Sequence, residues 1–96
     1  MRVLITGAQG QVGQELMYSA PQTWHIYGLG SSELDISNKQ QVLAVVNSLQ
    51  PQLIINTAAY TAVDQAESDR LRAHAVNHLG AENLAKAAQA VSCPLL

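Results

Sequence analysis

The chain has 96 residues, of which 48% are hydrophobic and 12% are charged, and its net charge is −2. This hydrophobic content is too high for a disordered chain, and the length allows one small domain. The five basic residues are scattered and form no stripe that would follow a nucleic-acid backbone. Composition therefore predicts a small globular domain and argues against nucleic acid as a partner.

Metal, disulfide and membrane signals are weak in this sequence. The single cysteine, Cys93, cannot form an intramolecular disulfide. His74 and His78 lie four residues apart on a predicted helix, but no third ligand has a fixed relation to them, so we expect no metal site. No apolar run approaches the roughly 18 residues of a membrane span, and the segment before the first glycine is too short for a signal peptide. We expect a cytoplasmic protein without a membrane partner.

The chain opens with a strand, a glycine turn and the start of a helix. An apolar run at residues 3–5 leads into the spacing Gly-x-x-Gly-x-x-Gly, formed by Gly7, Gly10 and Gly13. The first glycine permits a tight turn, the second lets the backbone approach a ligand, and the third lets the helix pack closely on the strand. N–H groups at the helix start, together with the positive end of its dipole, suit a pyrophosphate. The pattern favours a dinucleotide site, with a plain glycine turn as the alternative.

Short strand-like runs then alternate with longer helical patterns, which is typical of a parallel sheet with crossover helices. Beyond the first strand at residues 2–6, we predict a helix at about 11–20 and a second strand at 25–29. Leu34-Asp35-Ile36 is a candidate for a very short third strand, and Ser37 or Asn38 can cap the next helix. That helix carries an apolar set at helical spacing and stops before Pro51.

The second half of the chain continues the alternation. The run Leu53-Ile54-Ile55 suits a strand that is buried on both faces. The longest helix is predicted at about 69–91, and the chain closes with residues 93–96, which look like a strand just beginning. The apolar stripe of the long helix is predicted to comprise Leu71, Ala75, Leu79, Leu84, Ala88 and Val91.

Three segments together resemble one family. Residues 5–13 read Ile-Thr-Gly-Ala-Gln-Gly-Gln-Val-Gly, residues 34–36 read Leu-Asp-Ile, and residues 56–67 read Asn-Thr-Ala-Ala-Tyr-Thr-Ala-Val-Asp-Gln-Ala-Glu. This combination resembles the dTDP-4-dehydrorhamnose reductases, an atypical, extended branch of the short-chain dehydrogenases. The resemblance spans the whole chain but only about the first third of such an enzyme.

The resemblance implies an α/β fold, a Rossmann-type doubly wound parallel sheet with strand order 3-2-1-4 and a fifth strand begun at Leu95. Residues 1–96 would form the N-terminal part of an NAD(P)-binding domain, and the substrate domain would lie outside them. The cofactor would lie across the carboxyl ends of the strands. Parallel strands cut at this point would leave an apolar edge, so we expect self-association of the chain.

The resemblance also implies roles for single residues. Gly10, Gln11 and Val12 would cradle the pyrophosphate, while Asp35 and Ile36 would meet the adenine. The alternative for Asp35 is a cap near the next helix. The cofactor-binding set expected in full is Gly7, Gly10, Gln11, Val12, Gly13, Asp35, Ile36, Ala58, Ala59 and Tyr60, of which Ala58, Ala59 and Tyr60 would line the ribose and nicotinamide side or serve tight packing.

The end of the second strand departs from the usual pattern. A carboxylate there normally binds the ribose hydroxyls and disfavours a 2′-phosphate, but the strand is followed by Gly30, Ser31 and Ser32. We therefore expect NADPH to be tolerated. No arginine stands nearby to select it, so NADH stays open as the cofactor.

Catalysis in this family, as the resemblance implies, uses a Tyr-x-x-x-Lys pair that protonates the carbonyl as hydride arrives. The residues four positions after Tyr18, Tyr27 and Tyr60 are glutamine, serine and aspartate, so none forms the pair. We expect no catalytic residue in these 96 residues, no activity of the chain alone, and a sugar nucleotide as partner only of the full-length protein. The alternative is a non-catalytic nucleotide-binding module similar to the regulatory β subunit of methionine adenosyltransferase.

Overall fold

The computed structural model of the chain describes residues 1–58 and 70–96, with the side chains of residues 70–75 left aside. Helices and strands alternate along the chain, as the hydrophobic pattern predicts. The elements are β1 (Arg2–Thr6), α1 (Gln11–Ser19), β2 (His25–Leu29), α2 (Lys39–Leu49), β3 (Leu53–Asn56) and α3 (Arg70–Ala90). Within the described ranges, none of the helices is long and apolar enough to cross a membrane.

The sheet has the order β2-β1-β3, and both pairings are parallel. β1 lies in the centre because its residues Val3, Leu4 and Ile5 are apolar without interruption and are at most 1% exposed. The register pairs Thr6 with both Leu29 and Asn56, so the three strands end at the same level. A further parallel bridge joins Leu95 to Ile54, which confirms the predicted start of another strand beyond β3.

The predicted third strand at Leu34-Asp35-Ile36 is wrong. The N–H groups of Glu33 and Leu34 both donate to the carbonyl of Gly30, which closes a turn where a strand would need to extend. Leu34 and Ile36 still point into the core and are 3% and 7% exposed. The apolar-polar-apolar pattern at this position therefore reflects a turn that places two side chains in the core. β2 is the last strand on its side of the described sheet.

The two faces of the sheet are covered differently. One face, which we call the α2–α3 face, packs against α2 and α3, and the other, the α1 face, packs against α1. The buried residues of the α2–α3 face are Leu4, Leu34, Ile36, Val42, Val46, Ile54, Leu84, Ala87 and Ala88. Those of the α1 face are Val3, Ile5 and Ala8.

β3 shows the same asymmetry within one strand. Ile54 is fully buried, as expected for the α2–α3 face, but Leu53 and Ile55 on the α1 face are only half-buried. The expectation that the whole run would be buried on both faces is therefore wrong. Both side chains pack at the margin of the small cluster formed by Val3, Ile5 and Ala8, so they are covered on one side.

α3 uses small residues to approach the sheet. Gly80, Leu84, Ala87 and Ala88 are buried, whereas Leu79 is 45% exposed, so its predicted place in the apolar stripe is wrong. A Cβ at Gly80 would lie 2.3 Å from the Cδ1 atom of Ile36, so glycine makes room for that side chain. Close approach at small residues and the burial of Leu84 together define the buried side of this helix. Leu71 and Ala75 of the predicted stripe lie outside the described side chains.

α2 begins with the cap that the sequence predicts. Asn38 adopts an extended conformation, and its side chain accepts a hydrogen bond from the N–H of Gln41 at 3.1 Å. Gln50 ends the helix in a left-handed conformation just before Pro51. These two ends fix the position of Val42 and Val46 over the sheet.

Candidate functional site

The candidate site lies where the chain order of the sheet reverses. The chain moves from β1 to β2 on one side, whereas β3 joins β1 on the other side. In open parallel sheets, the crevice outside the carboxyl ends of two such strands is the usual place for a ligand. The turn after β1 and the residues after β3 meet at this crevice.

The glycine turn is explained at two of its three positions by contacts within the protein. Gly7 has a φ of +70°, and a Cβ there would lie 2.6 Å from the Cα of Ala58. A Cβ at Gly13 would lie 2.6 Å from the carbonyl oxygen of Gly7. The missing Cβ atoms therefore allow the turn to lie close to the residues after β3 and to α1. Gly7, Gly13 and Ala58, all predicted site residues, are thus brought together.

Gly10 has a different role. It is the N-cap of α1 with a φ of −73°, a conformation that any L-amino acid adopts. Its conformation therefore gives no reason for glycine, and close approach of a ligand remains the predicted reason.

The N-terminus of α1 offers unpaired donors. Gly10 provides no side-chain cap, and the first backbone bond to its carbonyl comes from Gln14. The N–H groups of Gln11, Val12 and Gly13 have no acceptor among the described residues. The first turn of α1 also carries no acidic side chain. Three donors and a positive helix end can therefore receive an anionic oxygen.

The ends of β1 and β3 are locked by side-chain hydrogen bonds. The buried Thr57 hydroxyl lies 2.6 Å from the carbonyl oxygen of Thr6 and 3.0 Å from that of Gly7. The Asn56 Oδ1 atom accepts from the Thr6 hydroxyl at 2.7 Å and from the Ala58 N–H at 3.0 Å. These bonds fix the floor of the crevice before any ligand is present, which reduces the ordering cost of binding.

A cluster at the end of β2 was not foreseen from the sequence. Glu33 folds back so that its Oε1 atom accepts from the Gly30 N–H at 3.2 Å. The Gln9 side chain lies over Gly30, where a Cβ would be 2.5 Å from its Cδ atom. The available signal was spacing, because Glu33 follows Gly13 by about 20 residues, the usual distance to a ribose-binding acid.

Asp35 and Ile36 make contacts of their own. The Asp35 Oδ1 atom accepts from the Ser37 N–H at 3.0 Å and from the Ser37 hydroxyl at 2.6 Å. Ile36 is buried in the core, and its carbonyl accepts from the Asn83 amide at 2.9 Å. These contacts stabilise the turn before α2. The cap of α2 is Asn38, so the alternative that Asp35 caps this helix is wrong. The adenine contacts of both residues remain predictions, and Ala59 and Tyr60 lie outside the described residues.

Comparison with known proteins identifies relatives over the whole chain. The family model described as the RmlD substrate binding domain matches residues 1–96. A dTDP-4-dehydrorhamnose reductase from Aggregatibacter actinomycetemcomitans is 46% identical over 89 residues, which cover 91% of this chain and 30% of that protein. One from Mycolicibacterium smegmatis is 45% identical over 96 residues, which cover 99% of this chain and 29% of that protein. The chain thus spans about a third of the length of these relatives.

Solved structures give the same result. The crystal structure of the dTDP-4-dehydrorhamnose reductase from Bacillus anthracis in complex with NADP superposes with a TM-score of 0.86 at 46% sequence identity, covering 98% of this chain and 34% of that one. A UDP-glucose 4-epimerase from Thermus thermophilus in complex with NAD, at 22% identity, has a TM-score of 0.77 and shares the fold. The predicted α/β Rossmann-type fold is confirmed.

Proposed function

Because this chain belongs to the RmlD substrate binding domain family, we propose that it forms the part of a dTDP-4-dehydrorhamnose reductase that binds the nicotinamide dinucleotide. The observation that carries the proposal is the uncapped N-terminus of α1 beside the Gly7 turn, at the point where the sheet order reverses. The relative from Bacillus anthracis, which was crystallised with NADP, supports the same cofactor class.

The residues present fit such a cofactor. Gly7 and Gly13 have no Cβ, so the turn can lie close to the end of β3 and to α1. The N–H groups of Gln11, Val12 and Gly13 would donate to the pyrophosphate, and the carbonyls of Thr6 and Gly7 are held in place by the Thr57 hydroxyl. The dinucleotide, NADPH or NADH, supplies the hydride. The chain binds and orients it by fixed backbone donors, which need little rearrangement.

The proton donor is proposed to lie outside these 96 residues. Tyr18, Tyr27 and Tyr60 all lack a lysine four positions later. A proton donor for the sugar carbonyl must be within hydrogen-bond reach and have a suitable pKa. We therefore expect that the chain binds dinucleotide but does not oxidise NADPH in the presence of a dTDP-4-keto sugar. Steady NADPH consumption by the pure chain would contradict this.

The binding proposal is tested by placing a carboxylate at the cap of α1. Gly10→Asp is compatible with the extended conformation of Gly10, and aspartate is a favoured N-cap, so the fold should keep or gain stability. Its side chain would occupy the free N–H groups and repel the pyrophosphate. We expect NADPH and NADH binding, followed by amide NMR, to weaken by on the order of a hundredfold.

The matched control is Gln52→Glu. It adds the same charge at the opposite edge of the sheet and keeps the oxygen that accepts from the Arg2 N–H at 2.9 Å. Binding should stay unchanged in this variant. If Gly10→Asp binds the dinucleotides as tightly as the control does, or if the unmodified chain binds neither, the proposal is wrong.

A further inference from the structure

β2 has an open outer edge. Its pairing with β1 is parallel, and the His25 N–H donates to the Met1 carbonyl at 2.7 Å, so the odd-numbered residues of β2 bond to β1. Successive residues of a strand direct their N–H and C=O groups to opposite sides, so those of Ile26 and Gly28 point away from β1. Among the described residues these groups have no partner.

The opposite edge of the sheet, beyond β3, is where the sequence predicts self-association. The outer side of β3 is occupied, however. The Ile54 N–H donates to the Pro94 carbonyl at 3.0 Å, and the Ile54 carbonyl accepts from the Leu96 N–H at 2.9 Å. Of the two outer strands in the described sheet, β2 is therefore the one whose outward groups are free.

An apolar groove, which we call the β2 groove, runs along the open edge between β2 and α2. Its volume is ≈ 310 Å³. The lining consists of Tyr27, Leu29, Ala44, Val45, Ser48 and Leu49. Its four large apolar side chains are only half-buried. Edge strands are usually protected from pairing by a lysine, a proline or a bulge, but β2 has none of these, and no Asp, Glu, Lys or Arg lies in the strand or in the groove lining.

The outward groups of β2 are self-complementary about Tyr27. When a second copy runs antiparallel along the edge with the two Tyr27 residues opposite each other, Ile26 of each copy lies opposite Gly28 of the other. Each of these pairs can exchange both N–H···O=C bonds. The two-fold axis is then normal to the sheet, so the α2 helices of both copies lie on the same face and each covers the β2 groove of the other.

We propose that the β2 edge and the β2 groove form a two-fold interface between two copies of this chain, which joins their sheets into one. A second copy satisfies the outward backbone groups and covers the half-buried apolar side chains with the same surface. Because the edge is uncharged, two copies meet without repulsion, and a charged partner finds no ion pair there. The proposal does not depend on dinucleotide binding.

The test is sedimentation equilibrium of the unmodified chain and of Ser48→Lys. Ser48 is exposed and lines the β2 groove, so its replacement places like charges against each other across the axis. We expect the unmodified chain to dimerise and the variant to raise the dimer dissociation constant by on the order of tenfold. The matched control is Asn47→Lys, since Asn47 is also exposed but lines the groove between α2 and α3.

Thermal unfolding should be the same for both α2 variants, because lysine is a better helix former than serine or asparagine. Dimerisation should be unchanged in Asn47→Lys. If the unmodified chain stays monomeric at its highest soluble concentration, the proposal is wrong. It is equally wrong if the chain associates and Ser48→Lys associates as tightly as Asn47→Lys does, because another surface is then responsible.

A disulfide tests the register. Residues opposite each other in a pair without hydrogen bonds have Cα atoms about 4.5 Å apart, which suits a disulfide. In a Cys93→Ser background, which removes the native thiol, oxidised glutathione should therefore convert Tyr27→Cys into a covalent dimer. His25→Cys is the control, because the two exposed copies of residue 25 lie about 13 Å apart in this register. Equal yields of covalent dimer from both variants would contradict the register.

Discussion

The two faces of the sheet differ in how completely they are covered. Among the residues whose burial is described, the cluster of the α2–α3 face has nine buried hydrophobic residues, contributed in part by two helices, whereas that of the α1 face has three. The glycine turn belongs to the thinly covered side, since Ala8 of that turn packs with Val3 and Ile5. The difference indicates that stability and the proposed ligand binding depend on different parts of this small domain, so the two properties should respond to different substitutions.

The largest effect is expected in the core of the α2–α3 face. Leu4→Ala removes a fully buried side chain and should lower the free energy of unfolding by about 3 kcal/mol. Leu53→Ala, at a half-buried site on the α1 face, should lower it by about 1 kcal/mol. Urea unfolding of both variants measures the difference. Equal losses would show that the two faces contribute alike.

The next effect separates two glycines at the site. Gly7→Ala places an alanine in the left-handed conformation and brings its Cβ into collision with the Ala58 backbone. The substitution should lower the free energy of unfolding by about 2 kcal/mol and abolish dinucleotide binding. In Gly30→Ala, the nearest neighbour of the added Cβ is the flexible side chain of Gln9. The free energy of unfolding should therefore change by no more than about 0.5 kcal/mol. Thermal unfolding and NADPH titration measure both. A mild Gly7 variant would mean that the turn can move away from β3.

A smaller effect is expected at the start of α2, which covers the α2–α3 face. Asn38→Ala removes the side-chain oxygen that accepts from the Gln41 N–H, so it should lower the free energy of unfolding by about 1 kcal/mol. Asn47→Ala makes the same change at an exposed position inside that helix, where it should be neutral or slightly stabilising. Denaturant unfolding compares the two, and a similar cost at both positions would argue against the cap.

The smallest effect is expected on the exposed side of α3. The hydrogen bond and positive charge of Lys86 lower the pKa of Glu82. Because the folded state holds the proton less tightly, ionised Glu82 stabilises the fold above its usual titration range, and this contribution is lost as pH falls through the lowered pKa. The free energy of unfolding should be slightly lower for Glu82→Gln than for the unmodified chain at pH 7, and the two should be equal at pH 3. A difference that persists in high salt would contradict this origin.

Much of the fold could be predicted because its signals are local. The periodic valines and the Asn38 cap define α2, and the apolar run at residues 3–5 defines β1. Leu34 and Ile36 were misread because an alternating triplet fits both a strand and a turn that inserts two side chains. The prediction for Leu79 is wrong because its apolar side chain fits the predicted stripe, while the small residue Gly80 makes the contact with Ile36.

The candidate site was predictable only where residues adjacent in sequence form it. Gly7, Gly10 and Gly13 lie within one turn and helix start, so spacing located them. The contact of Gly7 with Ala58 and the return of Glu33 to Gly30 depend on tertiary pairing of β1 with β3 and on a closed turn. Neither is encoded by a local pattern.

The central position of β1 also bears on how the chain emerges from the ribosome. β1 is synthesised before both of its partners, which begin at His25 and Leu53, and the register joins Thr6 to Asn56, about 50 residues later. At typical synthesis rates of about 5–20 residues per second, several seconds pass between the synthesis of residues 3–5 and that of β3, their second neighbour. During that time one edge of this apolar strand has no partner, so we expect the nascent segment to need protection by a chaperone.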